Sequence, residues 1–149
     1  RLGAVLFAGV LGLSAVSIVQ MNTQSRYWKE DARSTAAVLR AEVRPGDLVF
    51  MIGGWDPIAR YYWTALRDDP AIRHYFPPYR VSPEASPTDA EDAMSQVRSA
   101  RETFVVFCRD DFEDPGGRWE EFLRARFAVE RSWEFPGARI WKLGEELSR

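Results

Sequence analysis

Two short segments carry the residue types that could do chemistry. The first is Gly53-Gly54-Trp55-Asp56-Pro57, which follows five apolar residues, Leu48 to Ile52. The second is Arg109-Asp110-Asp111-Phe112-Glu113-Asp114, which follows the apolar run Thr103 to Cys108. In α/β sheets ligands collect at the carboxyl ends of strands, and helix N-termini attract anions. On that logic Trp55, Asp56 and Arg109 are the candidate substrate-binding residues, with Trp55 as a stacking surface. The simpler reading of the first segment is a turn with Asp56 as N-cap and Pro57 at the first helical position. The glycines lack the spacing of a phosphate loop or a dinucleotide fingerprint. The acidic run lacks the alternating ligand pattern of a calcium loop, and Arg109 offsets one charge, so a solvated loop is expected. Cys108 and His74 could form a thiol–imidazole pair only if folding brought them together. One cysteine and one histidine are too few for a zinc site. No catalytic, cofactor-binding or metal-binding residue is assigned.

The elements that must position these segments follow from periodicity. A helix is expected from about Tyr27 to Val43, with Ala32, Ala36, Leu39 and Val43 on one face. Pro45-Gly46-Asp47 ends it. Leu48–Ile52 and Thr103–Cys108 read as strands buried on both faces, as parallel strands are. Between them lie a helix carrying Ile58, Tyr61, Tyr62 and Leu66, then a proline-rich stretch over 68–88. In that stretch His74-Tyr75-Phe76 reads as a short edge strand. Thr88 to Glu91 matches a capping box for a helix with Ala93, Met94, Val97 and Ala100 inward. A further helix after Gly116-Gly117 is expected to present Trp119, Phe122, Leu123 and Phe127. Val129–Phe135 and Ala138–Leu143 flank Pro136-Gly137 as a terminal hairpin. The class is therefore α/β: a small three-layer domain over residues 23–149, with a partly parallel sheet and a C-terminal hairpin.

Composition adds a second region. Of the 20 Lys and Arg only Arg1 lies in residues 1–20, and all 22 Asp and Glu lie beyond. A strongly cationic nucleic-acid binder is excluded, as is a disulfide-stapled mini-protein. Leu2 to Val19 is uncharged and, as a helix, spans about 27 Å, close to a bilayer core. Tyr27 and Trp28 are placed for an aromatic belt. Ala4, Ala8 and Gly12 make a small-residue stripe of the kind that packs membrane helices. Residues 1–22 are thus expected to be a transmembrane helix, one of several. The competing readings are a signal peptide ending near Ala15-Val16-Ser17 and a buried soluble helix.

The order of these features resembles a family. An apolar span leads into Tyr27-Trp28-Lys29-Glu30-Asp31-Ala32-Arg33, then Ala36-Ala37-Val38-Leu39, Arg44-Pro45-Gly46-Asp47-Leu48-Val49-Phe50 and Ala59-Arg60-Tyr61-Tyr62. This is similar to the C-terminal end of polytopic bacterial glycosyltransferases of the family 39 (GT-C) type, kin of protein mannosyltransferases and aminoarabinose transferases. The resemblance implies a sugar transferred from a polyprenyl-phosphate carrier, with the catalytic carboxylates in an N-terminal loop that no residue here matches. It implies partners in the lipid bilayer, the remaining transmembrane helices and a lipid-linked sugar or acceptor, with Trp55 as the sugar-stacking candidate. It places the domain outside the cytoplasm at a bacterial inner membrane, whereas Arg26, Lys29 and Arg33 alone would favour the cytoplasmic side. A chain beginning at Arg1 is on this reading the tail of a longer protein. The alternative function is a single-span anchored α/β binding or assembly module without enzymatic activity.

Overall fold

The computed structural model describes residues 12–19, 31–53, 58–78, 82–108, 114 and 116–148. Its elements, in chain order, start with α1 (Ala32–Glu42), β1 (Leu48–Ile52), a π-helical turn (Ile58–Tyr62) and α2 (Ala65–Asp68). They continue with β2 (Arg73–Tyr75), α3 (Pro87–Ser99), β3 (Thr103–Cys108) and α4 (Arg118–Arg124). The chain ends in β4 (Phe127–Phe135) and β5 (Ala138–Glu146). The five strands form one sheet in the order β2-β1-β3-β5-β4. β1 runs parallel to both β2 and β3, while β5 is antiparallel to β3 and to β4. A mixed α/β fold with a partly parallel sheet and a terminal hairpin is what the patterning predicts.

Every residue of β1 and β3 is buried. Alternation sends their side chains to two different cores. Val49, Met51, Phe104, Val106 and Ile140 face α1, the π-helical turn and Leu66 of α2. Leu48, Phe50, Val105, Phe107 and Trp141 face α3 and α4 through Ala93, Met94, Val97, Trp119 and Leu123. Each fully buried phenylalanine contributes about 1.5–3 kcal/mol through area removed from water.

α1 forms because Asp31 caps it and its apolar spacing is helical. The Asp31 carboxylate accepts hydrogen bonds from the Ser34 amide (2.9 Å) and the Ser34 hydroxyl (2.6 Å). Those bonds, the hydroxyl's first, hold the carboxyl below its ordinary range. Ala32, Thr35, Ala36 and Leu39 form the buried stripe. The following Pro45-Gly46-Asp47 segment does more than turn the chain. The Asp47 carboxylate is fully buried and takes both arms of the Arg101 fork at 2.9 Å, plus the Arg44 amide at 2.7 Å. Its carbonyl accepts from the Arg73 amide at 3.1 Å. One residue therefore ties together the amino ends of all three parallel strands.

The structure corrects several expectations. α3 starts at Pro87 with Ser86 as N-cap, so Thr88 is inside the first turn and forms no capping box. Proline's fixed φ and missing N–H make it the better first residue. The stretch after Pro57 is a π-helical turn and a short α-helix, not one helix: the Trp63 amide bonds the Ile58 carbonyl at 2.8 Å, five residues back. That wider winding turns Ile58, Ala59 and Trp63 inward and leaves Tyr61 71% exposed. Phe127 opens β4 instead of closing α4, although it still packs in the α3–α4 core. Asp114 is buried, not solvated: its carboxylate accepts from the amides of Arg118 (3.0 Å) and Trp119 (2.9 Å) at the start of α4. The hairpin turns as expected at Pro136-Gly137, with Gly137 at φ 64°, a positive value of the kind type II turns require.

Of the expected transmembrane span, residues 12–19 are helical, and the rest lies outside the described residues. Among the described residues no helix is long and apolar enough to cross a membrane. Within 12–19, Leu13, Val16, Ile18 and Val19 are all exposed, Leu13 at 73%.

Candidate functional site

The sheet has one topological switch point. β1 and β3 are neighbours, with Ile52 opposite Phe107 at their carboxyl ends. The chain leaving β1 passes to the α1 side, where Ile58 and Leu66 pack, and the chain leaving β3 passes to the opposite side, where α4 packs. Diverging exits of this kind open a crevice beyond the strand ends, the usual ligand position in open α/β sheets. The segments bearing the candidate residues therefore start side by side. Trp55, Asp56 and Arg109 themselves lie outside the described residues, as do Asp110 to Glu113.

Beside the carboxyl end of β3, on the α4 side, the described side chains include a charged cluster. Arg139 stands opposite Phe107 in the β3–β5 pairing. Its guanidinium lies 4.5 Å from the Phe107 ring centre and 4.9 Å from that of Trp141. The same guanidinium makes a 2.5 Å ion pair with Glu120, the third residue of α4. Arg124, one turn further along α4, pairs with the other Glu120 oxygen at 3.1 Å and stacks over Trp141 at 4.7 Å. A carboxylate held by two arginines, with aromatic faces beneath, is rigid and already compensated. It ties α4 to β5.

Sequence reasoning missed this frame. The available signal was parity: Arg139 alternates with Trp141 and Leu143 on the buried face of β5, an unusual place for a charge without a partner.

The remaining candidates separate in space. Cys108 is buried at the end of β3, while His74 is exposed on β2. β1 lies between the two strands, and His74 is level with Phe104, four residues short of Cys108. Strand geometry puts them about 15 Å apart, so they form no thiol–imidazole pair. Among the described residues no group of three or more His, Cys, Asp or Glu is arranged to hold a metal.

A groove of about 680 Å³ lies elsewhere, between α3 and α4. Met94 and Phe122 line its apolar part, and Glu91, Arg98 and Arg126 its charged part. Arg126 stacks 3.8 Å from the Phe122 ring centre and donates to the Phe122 carbonyl at 3.0 Å. Arg98 is drawn to Glu146 by a two-armed contact, and that guanidinium holds the Glu146 carboxyl below its ordinary range. On the other flank of α3 burial pushes Tyr75 up to about 12, with Asp92 and Asp89 adding to it. The groove offers apolar contact from Met94 and Phe122 beside the charged side chains of Glu91, Arg98 and Arg126.

No family model matches the chain, and no curated protein or solved structure is significantly similar to it.

Proposed function

We propose that this chain is the last membrane helix and the extracytoplasmic α/β domain of a membrane glycosyltransferase that draws its sugar from a polyprenyl-phosphate carrier. The observation that carries the reading is the apolar segment Leu2–Val19, whose described part is helical and exposes its large apolar side chains. Water is a poor environment for such a surface, and lipid or neighbouring membrane helices are the natural cover. The domain is non-catalytic by itself; the switch point at the carboxyl ends of β1 and β3, from which the sequence runs on to Trp55, Asp56 and Arg109, is the place where it contacts a sugar or acceptor. The test begins with the coding sequence upstream of Arg1, where several hundred residues with many further apolar spans are expected. Membranes containing the complete protein should then transfer labelled sugar from a polyprenyl-phosphate donor. An initiator Met immediately before Arg1 overturns the proposal.

The α3–α4 groove favours a second reading, a single-span anchored binding module. A short reading frame combined with partner binding abolished by Phe122→Asp supports that reading over the first.

A further inference from the structure

On the α3–α4 side and along the sheet ends Arg98, Arg101, Arg118, Arg124 and Arg139 each have a carboxylate partner. On the surface made by α1 and the π-helical turn, Arg33, Arg40 and Arg60 are exposed and form no ion pair among the described residues. The carboxylates nearby are already engaged. Asp31 caps α1, Glu42 is paired with Arg131, and Asp68 with Arg67. The same surface presents Tyr61 and Tyr62 outward. Arg33 sits 5.7 Å over the Tyr62 ring, and Arg40 donates to the Tyr62 carbonyl, so the two elements form one continuous cationic–aromatic face.

We infer that this face rests on an anionic lipid surface, its guanidinium groups on headgroup phosphates and Tyr61 and Tyr62 at the interfacial depth. Charge complementarity carries the assignment: exposed guanidinium groups that form no ion pair among the described residues, beside exposed tyrosines, match what an anionic headgroup layer offers. Chain connectivity agrees. α1 is the first described element after the apolar segment, and residues 20–31 cannot hold it more than about 45 Å from Val19. The inference rests on the membrane reading of residues 1–22, and the test separates the two.

The full chain is mixed with vesicles of phosphatidylcholine alone, or of phosphatidylcholine with about 30% phosphatidylglycerol. Flotation after a carbonate wash reads the anchor; hydroxyl-radical labelling of Tyr61 reads the face. In anionic vesicles Tyr61 labelling should slow roughly threefold or more, each surface guanidinium being worth roughly fivefold in local binding. About 0.5 M salt should erase the protection. Arg33→Glu/Arg60→Glu should abolish it, and Arg33→Lys/Arg60→Lys should keep it. Equal labelling in both vesicles, with the chain anchored, overturns the face and leaves the anchor standing. If the chain fails to float after the wash, the anchor reading falls. The face then still requires salt-sensitive binding to the anionic vesicles alone, and binding to neither overturns it too.

Discussion

The two faces of the sheet are covered in different ways. On the α1 side the cover is one regular helix and an irregular π-helical turn, meeting the sheet through small and aliphatic residues such as Ala36, Leu39, Ile58 and Leu66. On the α3–α4 side the cover meets Phe50, Phe107 and Trp141, and charges thread the aromatic layer as the Arg139–Glu120–Arg124 frame. On the α3–α4 side Arg98, Arg118, Arg124 and Arg139 are ion-paired; on the α1 side Arg67 and Arg131 are paired, while Arg33, Arg40 and Arg60 form no ion pair among the described residues. The contrast teaches that similar composition on two faces can serve different ends. Paired charge holds a short helix in place, and Arg33, Arg40 and Arg60, without an ion pair among the described residues, leave the fold little to lose on their removal.

The largest expected effect probes the cores. Phe107→Ala and Phe104→Ala remove buried rings from the opposite faces of the same strand. Each should cost about 3–5 kcal/mol in urea unfolding. Phe107→Ala should cost more, because it also removes a ring under the Arg139 guanidinium. Equal costs would mean that the stacked arginine adds nothing on that face. Next comes the charge that joins the strands. Arg101→Ala leaves the buried Asp47 carboxylate without its fork. A loss of about 2–3 kcal/mol is expected, below the full value for a buried pair because Arg101 is half exposed. Recovery in the double variant Arg101→Ala/Asp47→Asn would locate the cost in the stranded charge. Arg139→Ala should follow at about 1–2 kcal/mol, since Glu120 keeps Arg124 as a partner.

The paired face also explains what was legible in the sequence. β1 and β3 could be read to the residue, because unbroken apolar runs bounded by Asp47, Gly53 and the charged residues beside Thr103 and Cys108 have few other solutions. The hairpin was legible through Pro136-Gly137 and strand alternation. The π-helical turn was not, since Ile58, Tyr61, Tyr62 and Leu66 fit an α-helical stripe equally well, and only the packing of Trp63 selects the wider winding. Nor was the capping of α4 by Asp114, which a local pattern merges with the acidic run before it. For the candidate site, the sequence located the carboxyl ends of β1 and β3 but not their adjacency, because register between distant strands is a property of the whole sheet. Parity could mark Arg139 as a charge in need of a partner, but not Glu120, nineteen residues away, as that partner.

A smaller effect concerns acid stability on the α1 side. Asp31 has a folded-state pKa lowered by the Ser34 bonds. Its contribution is present above the unfolded carboxyl value of about 4 and is lost as pH falls through the lower folded value. Asp31→Asn keeps an N-cap acceptor, so stability at pH 7 should change by no more than about 0.5 kcal/mol. Below pH 4 the variant's stability should fall less steeply than that of the unmodified chain. Identical acid limbs in urea titrations would show that the cap does not titrate with folding.

The smallest expected effect is the sharpest test of the contrast. If the arginines of the α1 face were part of the fold, their removal would register in stability. Arg33 and Arg60 are exposed and have no ion pair to lose among the described residues. Arg33→Ala and Arg60→Ala should therefore each stay within about 0.5 kcal/mol of the unmodified chain. At stake among the described residues are the loose stacking of Arg33 on Tyr62, worth about 0.5 kcal/mol at an exposed site, and the attraction of Arg33 for the Asp31 carboxylate. A loss above 1.5 kcal/mol for either variant would make that face structural, and the difference between the two sides of the sheet would disappear. A neutral result, beside the measurable cost of Arg139→Ala, would establish that the two sets of arginines are held for different purposes.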